Sequence, residues 1–415
     1  MKVLHVSYQD CSGGAHIAAR RICEAQRNAG IDATMLVGSK GSSKIFVRDV
    51  SLKRKVYNMF ANMLGQKIAN FQKKSSNPIL HSLNVFPSKL YHVINSSDCD
   101  VVNLHWINAE FMRIEDIAKI NKPIVWTLHD MWPFSGAEHY DDLEHPERYV
   151  EGYSSGNRPK HYTGRDFDLA LFKRKKKHYP KTMHIVSPSN WMRECASKSE
   201  LLKNHIHSVI PNTLDINIFR PLDISYCREL LGFPKDKKLV LFGAFNSKDD
   251  PRKGFKFIRK AIDLLNEHES AEDIEFVIYG SEQMESEHFG KIKANYIGKF
   301  SDEVSLAAIY NAVDIFVAPS MQDNLPNTIL EAQACGTPTV AFNIGGIPDM
   351  VNSESKGFLA TPFEANEIAQ GILQILKCPI DKKDVSREFI DGYFSEKVVC
   401  SSYISVYERV LNGKK

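Results

Sequence analysis

The feature that most constrains the fold is a repeated alternation of short apolar runs with helical patterns. The first apolar run, residues 2–8, is followed by a glycine-bearing loop, a helical pattern over 15–29 and a helix-stopping glycine at Gly30. Further apolar runs cover 32–38, 100–107, 123–130, 184–189 and 207–212. Strands and helices that alternate in this way form a parallel sheet covered on both faces.

The same alternation restarts after Pro221. Helical patterns over 254–268 and 302–313 separate apolar runs that predict five strands. These strands cover 238–245, 274–281, 295–299, 313–320 and 337–343. The sequence therefore predicts two α/β halves, with a seam near 210–221 and a last helical pattern after the second set of strands.

Length and composition agree with this organisation. A chain of 415 residues is long enough for two or three domains, and 43% hydrophobic with 25% charged residues is typical of a globular protein. A formal net charge of +3 does not indicate a nucleic-acid partner. Met1 precedes the first strand directly, no apolar run approaches the ~20 residues of a membrane span, and the eight cysteines form no C-x-x-C pair. We therefore expect a cytoplasmic enzyme with reduced thiols.

Two basic segments remain open to more than one interpretation. Residues 51–95 interrupt the alternation, and the amphipathic stretch 55–71 has basic flanks. It is either an inserted helical hairpin or a surface that meets a lipid or a lipid-linked substrate. The run 173–178, KRKKKH, is either a solvated basic face or a segment attracted to a membrane surface.

Two acids with seven residues between them stand around a predicted helix start in the second half. Pro326 suits the first turn, Asn324 can cap it, and Gly336 can end the helix. This places Asp323 just before the helix and Glu331 about two turns inside it. The first amides of a helix favour anions and hydroxyls, so the acids and amides together suit a sugar and a ribose, against the alternative of ordinary surface acids.

Two cations follow the first strand of the same half. Arg252 and Lys253 stand at a predicted helix start, where paired cations suit a diphosphate. The loops after strands 238–245 and 313–320 lie at carboxyl ends, where open α/β sheets place their ligands. Cations and acids in one half together predict a nucleoside-diphosphate site.

The first half offers its own candidates at strand ends. Gly13 and Gly14 allow the backbone to approach a ligand closely, although the loop is not a G-x-G-x-x-G motif. His129 ends the strand 123–130 and faces either the donor sugar or the acceptor, unless it is a structural histidine bonded to backbone.

Aromatic and acidic residues stand at the ends of the same two strands. Asp130 and Trp132 follow His129 and could help to shape an acceptor pocket. His105 and Trp106 end the neighbouring strand, where Trp106 could stack on a sugar or belong to the core.

Two D-x-D sequences could suggest a metal site. Asp98 and Asp100 precede a strand rather than follow it, which is the wrong end for a ligand, so we interpret them as turn residues. The run 166–168 is interpreted in the same way.

At this point the chain resembles the retaining glycosyltransferases of the GT-B fold, family 4. The resemblance rests on residues 211–219, DPRKGFKF at 250–257, 297–303 and the long segment 320–351. The segments VNLHWI and LHDMWPFSGAEHY resemble the bacterial subgroup that builds capsule, exopolysaccharide and O-antigen chains. The resemblance covers nearly the whole chain and is strongest over 235–365.

This resemblance implies two Rossmann-like domains that face each other across a cleft. It implies an acceptor-side domain over 1–212, a nucleotide-sugar domain over 213–395 and a helix over 396–415 that crosses back to the first domain. Glu331 would hold the ribose, Asp323 would match the first acid of the family's E-x7-E motif, and Arg252 and Lys253 would bind the diphosphate. The remaining donor-side residues would be Gly13, Gly14, Gly280, Ser281, Asn324 and Leu325, with His129 beside the donor sugar.

The resemblance also implies the reaction. The chain would move a hexose or acetamido-hexose from a UDP- or GDP-linked donor to a growing lipid-linked glycan at the inner membrane, with no cofactor and no metal. The catalytic residues would be His129, Asp323, Lys253 and Arg252. A nucleotide-sugar epimerase and a catalytically degraded binding subunit are the alternatives.

The sequence departs from the family pattern at three positions. The first acid of the motif is Asp323 rather than glutamate, and Ala244 stands where many relatives have arginine. Close relatives often carry cysteines around the GAEHY segment, whereas Ala137 and its neighbours offer none, so the sequence predicts no metal there.

Overall fold

The computed structural model describes residues 1–71, 79–142, 146–243, 250–282, 285–300, 302–380 and 387–413. The chain divides into two compact units, which are described separately. Unit 1 comprises Met1–Asn212 with Val399–Lys415, and unit 2 comprises Thr213–Val398.

Unit 1 is built on a seven-stranded sheet whose strands are all parallel. The strand order is β3-β2-β1-β4-β5-β6-β7, so the order reverses between the neighbours β1 and β4. The short edge strand β3 was not predicted. The strands are β1 (Lys2–Gln9), β2 (Asp32–Ser39), β3 (Val47–Asp49), β4 (Val101–Leu104), β5 (Ile124–Thr127), β6 (His184–Ser187) and β7 (Ile206–Val209).

Among the described residues before the seam, seven helices cover this sheet or lie beside it. The first begins after Gly13 and is capped at its end by Ala29, with Gly30 in the left-handed region, as predicted. The helices are α1 (Gly14–Asn28), α2 (Leu52–Ala69), α3 (Leu90–Asn95), α4 (Ile114–Ile117), α5 (Arg148–Glu151), α6 (Phe167–His178) and α7 (Asn190–Lys198).

Helix α6 corrects one interpretation made from the sequence and part of another. Asp166 caps it by accepting from the Leu169 amide at 3.0 Å, so the run 166–168 starts a helix rather than a turn, and Asp168 is fully buried. In the basic run 173–178, Lys173, Lys176 and Lys177 are exposed as a solvated face requires, whereas Lys175 is fully buried. Its Nζ donates to the carbonyls of Trp132, Ser135 and Gly136, so this lysine fixes a loop instead of facing solvent.

Helix α2 carries its apolar residues on the outside. Its buried positions are small or polar: Asn58, Ala61, Gly65 and Ala69. The exposed large hydrophobic residues recur at helical spacing on the other face and are Leu52, Val56, Tyr57, Met59, Phe60, Met63 and Leu64. This arrangement inverts the usual amphipathic pattern of a helix that packs on a protein core.

Unit 2 has a second seven-stranded sheet, of order β10-β11-β9-β8-β12-β13-β14, which reverses between β8 and β12. It is parallel except for the antiparallel edge pair β10–β11. The sequence predicted five of these strands and missed the two short ones at the edges. The strands are β8 (Lys238–Gly243), β9 (Ile274–Tyr279), β10 (Glu287–Phe289), β11 (Ile292–Tyr296), β12 (Ile315–Ala318), β13 (Thr339–Phe342) and β14 (Gly357–Ala360).

The helices of unit 2 pack on both faces of this sheet and give two buried clusters. The helix after β8 shows how the sequence achieves this, because Phe257, Ile258, Ala261, Ile262 and Leu265 form one buried stripe. The helices are α8 (Ile224–Leu231), α9 (Phe255–Leu265), α10 (Glu303–Ala312), α11 (Asn327–Ala334), α12 (Ala365–Lys377) and α13 (Arg387–Tyr393).

The last helix, α14 (Glu396–Leu411), belongs from Val399 onward to unit 1. Its buried residues Val399, Tyr403, Val406 and Tyr407 join the core cluster that contains strand residues of the first sheet. Across the described ranges, we find no helix that combines the length and the hydropathy needed to span a bilayer.

Candidate functional site

The predicted donor residues of unit 2 lie where the strand order reverses. β8 and β12 are hydrogen-bonded neighbours, and each is followed at its carboxyl end by a loop that carries candidate residues. Lys253 Nζ, after β8, donates to Asp323 Oδ2, after β12, over 2.7 Å. Such a reversal point is where open α/β sheets bind ligands, so the two loops place a cation and an acid at the expected position.

Local geometry explains why these loops meet. Asp250 caps a short 3-10 turn over Pro251–Lys253, and Gly254 follows with φ of 78°. A Cβ at Gly254 would stand 1.9 Å from the carbonyl oxygen of Pro319, so only glycine fits. The two loops can therefore approach backbone to backbone, and the Met321 amide donates to the Arg252 carbonyl at 2.6 Å.

Arg252 is oriented by the acid two residues before it. Its Nη2 lies 2.8 Å from Asp250 Oδ2 and its Nε lies 3.2 Å from Asp250 Oδ1. The side chains of Arg252 and Lys253 remain 28% and 26% exposed, so an incoming anion can still reach both. Ala244, which departs from the family pattern, lies outside the described residues.

Asp323 is held by its own neighbours as well as by Lys253. Its Oδ1 accepts from the Asn324 amide at 3.1 Å, and Asn324 and Leu325 are both buried. Gly345 has φ of +54°, and a Cβ there would stand 2.0 Å from the Asp323 carbonyl oxygen. Gly345 was not among the residues predicted from the sequence, although the pair Gly345–Gly346 in NIGGIPD was a signal for a tight backbone approach.

Helix α11 begins one residue later than predicted. Pro326 is its N-cap, not part of its first turn, and the cap has no side-chain hydrogen bond, so Asn324 does not cap the helix. Glu331 is consequently the fifth residue, a little over one turn inside. The helix ends at Ala334, Cys335 is its C-cap, and Gly336 follows in the left-handed region, as predicted.

Glu331 is reached by a relay of two tyrosines that sequence reasoning missed. Glu331 is 5% exposed, and its Oε2 accepts from Tyr310 Oη at 3.1 Å. Tyr279 Oη lies 2.8 Å from Tyr310 Oη. Because the Tyr310 hydroxyl donates its proton to the Glu331 carboxylate, it can only accept from Tyr279, so Tyr279 donates to Tyr310. Burial, together with the Glu331 charge, raises the pKa of both phenols, so both are neutral donors at ordinary pH.

The glycines around Tyr279 make room for this relay. A Cβ on Gly243, the last residue of β8, would stand 2.1 Å from the Tyr279 ring. Gly280 follows Tyr279 with φ of 88° and donates its amide to the Gly298 carbonyl at 2.8 Å. Ser281 comes next and is buried. The predicted pair Gly280–Ser281 thus lies directly after the strand that carries the relay.

In unit 1 the candidates also follow the two strands at the reversal point. The loop after β1 leads to Gly13, whose φ of 84° requires glycine, and Gly14 is the first residue of α1. Trp106 lies two residues beyond β4. His16 on α1 packs edge-on against the Trp106 ring, with ring centres 5.1 Å apart, and its Nδ1 lies 2.9 Å from Ser7 Oγ.

Three histidines form a hydrogen-bonded chain that runs from the middle of β1 to the residues just after β4 and β5. His5 Nδ1 lies 2.9 Å from His105 Nε2, and His105 Nδ1 lies 3.0 Å from His129 Nε2. Burial lowers the pKa of His5 and of His129 to about 4, and it lowers the pKa of His105 well below its usual range. All three rings are therefore neutral at pH 7.

The far end of this chain fixes which nitrogen carries each proton. Gln26 Nε2 donates to Tyr407 Oη on α14 at 3.0 Å, and Gln26 Oε1 lies 3.0 Å from His5 Nε2. An amide oxygen only accepts, so His5 Nε2 carries the proton. His5 Nδ1 then accepts from His105, and His105 Nδ1 accepts from His129 Nε2. The lone pair of His129 consequently lies on Nδ1.

Asp130, directly after His129, joins the two aromatic candidates. Its Oδ2 accepts from Trp106 Nε1 at 2.8 Å and lies 2.6 Å from His139 Nδ1, and its Oδ1 accepts from the Trp132 amide at 3.0 Å. Burial alone would raise the pKa of Asp130, but His139 and these donors outweigh it and lower the pKa. Asp130 is an ionised anchor for the loop.

The structure separates the acceptor-side candidates into exposed and buried groups. Trp106 and His129 remain partly exposed. Trp132 is fully buried, with Nε1 donating to the Ser82 carbonyl at 2.8 Å, and His105 is also buried. Trp132 and His105 therefore lie in the core of unit 1 rather than at its surface, and their assignment to the acceptor side stays a prediction.

Two family models match the chain, one for each half. The model described as Glycosyltransferase Family 4 matches residues 12–218, and the model described as Glycosyl transferases group 1 matches residues 236–378. The first covers most of unit 1 without α14, and the second covers both donor loops and the Tyr279–Tyr310–Glu331 relay.

Similar proteins agree with these models. A D-inositol 3-phosphate glycosyltransferase from Catenulispora acidiphila is 28% identical over 218 residues, which is 49% of this chain and 50% of that relative. The chain spans about half the length of the curated relatives it matches.

Solved structures match over the full length. Sucrose-phosphate synthase from Thermosynechococcus elongatus has a TM-score of 0.67 and 16% identity and covers all of both chains. HepE from Anabaena, in complex with UDP-glucose, has a TM-score of 0.64 and 17% identity over 98% of this chain and 99% of that one. Together with the two sheets, these likenesses establish the GT-B fold class.

Proposed function

This chain belongs to the family 4 glycosyltransferases of the GT-B fold, and we propose that it transfers a hexose or acetamido-hexose from a nucleoside-diphosphate sugar to a lipid-linked glycan, with retention of configuration. The donor is UDP- or GDP-linked, and HepE, which has the same fold, binds UDP-glucose. The observation that carries the proposal is the contact between Lys253 and Asp323 at the strand reversal of unit 2.

The charges at this reversal suit the bond that must break. Cleavage of a sugar–diphosphate bond develops negative charge on the leaving phosphate, and fixed cations stabilise that charge in place. Lys253 and Arg252 supply two such cations, each oriented by an acid partner. A diphosphate carries more negative charge than either partner, so it competes well for both side chains.

The acids have separate tasks in this proposal. Asp323 lies beside Lys253 and serves the donor sugar, where the transition state carries positive charge and a carboxylate is favourable. Glu331, oriented by Tyr310, accepts hydrogen bonds from the ribose hydroxyls. His129, a neutral ring with its lone pair on Nδ1, accepts from a sugar hydroxyl on the unit 1 side.

Helix α2 supports a lipid-linked acceptor. Its outward face carries Phe60, Met63 and five other exposed large hydrophobic residues, and Lys53 and Lys67 lie on the same helix. An apolar face with basic neighbours inserts at the boundary of an anionic membrane. We therefore assign the protein to the cytoplasmic face of the membrane as a peripheral protein, which brings it to lipid-linked glycans.

Nucleoside diphosphate release tests this proposal. The purified chain is incubated with UDP-, GDP- and ADP-sugars, with or without a lipid extract, and with or without brief exposure to a chelator. We expect release from one donor, dependent on the extract and unaffected by the chelator. Release without any acceptor dependence would favour a hydrolase or an epimerase side reaction, and no release from folded protein would contradict transfer.

A further inference from the structure

A second group of ionisable side chains lies in unit 1, away from the chain of histidines. His81, Glu138 and Asp168 are 4%, 5% and 0% exposed, and one ligand atom from each lies within 4.8 Å of the others. His81 and Glu138 face each other in an isolated antiparallel β-bridge, and Asp168 stands in the first turn of α6. Three distant segments of the chain thus converge on one buried point.

The histidine of this group is held in a defined tautomer. His81 Nδ1 lies 2.9 Å from the Ile79 carbonyl oxygen, which only accepts, so Nδ1 carries the proton. In the neutral ring the lone pair is then on Nε2, and Nε2 lies 3.6 Å from Asp168 Oδ1. A positive charge between these two acceptors would offset the cost of burying them face to face.

The glutamate adds a third acceptor. Tyr153 donates to Glu138 Oε1, whereas Oε2 finds no N–H or O–H donor within the described part of the chain. A Cβ on Gly136 would stand 2.7 Å from Glu138 Oε2 and 2.6 Å from the Asp168 side chain. The two carboxylates therefore lie close together over Gly136, where no larger residue would fit. Burial and the Asp168 charge raise the pKa of Glu138.

We propose that His81 Nε2, Glu138 Oε2 and an oxygen of Asp168 bind one divalent transition-metal cation, zinc by preference, as a structural site. One imidazole nitrogen and two carboxylate oxygens form a common zinc donor set, completed by a fourth ligand. The two carboxylates balance the charge of a divalent ion.

The contacts around the three side chains match the outer shell of such sites. Metal-binding imidazoles commonly donate their second N–H to a backbone carbonyl, as His81 does to Ile79. Ligating carboxylates commonly accept further hydrogen bonds. Here the Ala137 amide donates to Asp168 Oδ1 at 3.1 Å, and Arg148 Nη1 lies 3.7 Å from Asp168 Oδ2. These contacts orient each donor atom toward the shared point.

The location indicates a structural role. Glu138 directly precedes His139, the partner of Asp130, in the loop after β5. Lys175 fixes the same loop through the carbonyls of Trp132, Ser135 and Gly136. A metal at Glu138 would hold the other side of this loop against His81 and α6. The absence of cysteine from the GAEHY segment led to the prediction of no metal, but a histidine and two acids can supply the ligands instead.

Metal content tests the proposal. The full chain is produced without a histidine tag in zinc-supplemented medium, and bound metals are measured by elemental analysis. We expect one zinc per chain in the wild type and in His288→Gln, an exposed histidine of unit 2. We expect less than about a tenth of an equivalent in Glu138→Gln and His81→Gln, which keep similar side-chain volumes. Circular dichroism verifies that each variant is folded.

Thermal unfolding with a chelator gives a readout independent of turnover. The chelator captures metal released on unfolding, so it lowers the unfolding midpoint of the wild type but not that of Glu138→Gln. Zinc-free wild type, equal zinc in the wild type and Glu138→Gln, or a wild-type midpoint unmoved by the chelator would each overturn the proposal.

Discussion

Lys253 Nζ and Asp323 Oδ2 lie 2.7 Å apart although 70 positions separate the two residues in the sequence. The contact joins the loops after β8 and β12, the neighbouring strands at which the strand order reverses. Lys253, which we propose binds the diphosphate, and Asp323, which we propose lies beside the sugar, are thereby positioned relative to each other before any sugar nucleotide binds. Lys253 must be shared between Asp323 and the diphosphate, and this sharing leads to a specific prediction.

Asp323→Asn should separate nucleotide binding from transfer. The substitution removes the charge that competes for Lys253, so we expect UDP or GDP alone to bind as tightly as to the wild type, or up to about tenfold more tightly. Transfer should fall by about 100-fold or more, because the carboxylate beside the sugar is lost. Titration calorimetry and initial rates measure the two effects. Parallel losses of binding and rate would argue against a role for Asp323 at the sugar.

Glu331→Gln should weaken donor binding by about 10- to 100-fold, since a charged acceptor for the ribose hydroxyls becomes neutral. Tyr310→Phe keeps the carboxylate and removes only the hydroxyl that donates a hydrogen bond to it. We therefore expect the affinity for the sugar nucleotide to fall by only a few-fold. The ranking of these two variants distinguishes direct contact from orientation. An unaltered donor affinity in Glu331→Gln would remove Glu331 from the site.

These residues illustrate what the sequence could and could not predict. Asp323, Glu331, Arg252 and Lys253 could be identified because each stands beside a strand end or helix start with local turn signals. The Tyr279–Tyr310 relay could not, since it depends on which helix packs beside which strand. No periodic pattern encodes a hydroxyl contact between residues 31 positions apart.

The histidine chain predicts a defined tautomer at three positions. His5, His105 and His129 should all carry their proton on Nε2 and stay neutral from pH 7.5 to pH 5. Nitrogen NMR of histidine-labelled protein measures both properties. A midpoint near 6.5 for His5, or a proton on Nδ1, would contradict the chain as described.

The histidine chain also makes the folding stability depend on pH in a defined direction. The folded pKa of His5, about 4, lies below the ordinary value of 6.5. The unfolded state therefore binds the proton first as pH falls. His5 contributes stability that is present above pH 6.5 and is lost toward pH 4, about 1 kcal/mol of it by pH 5.5. Acids with a raised pKa, such as Asp141, act in the opposite direction, so the histidine effect is measured by NMR rather than by total stability.

The outward face of α2 should bind anionic membranes. Phe60→Asp with Met63→Asp places two charges on this face, and we expect at least about tenfold weaker flotation with phosphatidylglycerol vesicles. The control pair Tyr226→Asp with Leu230→Asp, two exposed residues of α8, should leave flotation unchanged. Equal flotation of both double variants would assign the membrane contact elsewhere.

For helix α2, the sequence pattern predicted the helix but not which of its faces is exposed. Amphipathicity predicted a helix over 55–71, and the structure has one over Leu52–Ala69. The pattern alone could not say that its apolar face points outward, because an inverted helix and an ordinary one have the same period. Asn58 and Gly65 on the buried face were a usable signal. The edge strands β10 and β14 were missed because three or four residues carry too little periodicity.

Donor binding by the Lys253 side chain is the most direct test of this account. Isothermal titration of UDP and GDP is performed on the wild type, on Lys253→Met and on Lys260→Met, an exposed lysine further along α9. We predict one site on the wild type for one of the two nucleotides, about 30-fold weaker binding to Lys253→Met, and unchanged binding to Lys260→Met. Equal affinity of all three proteins, or no binding of either nucleotide to folded wild type, would contradict a donor site at the strand reversal of unit 2.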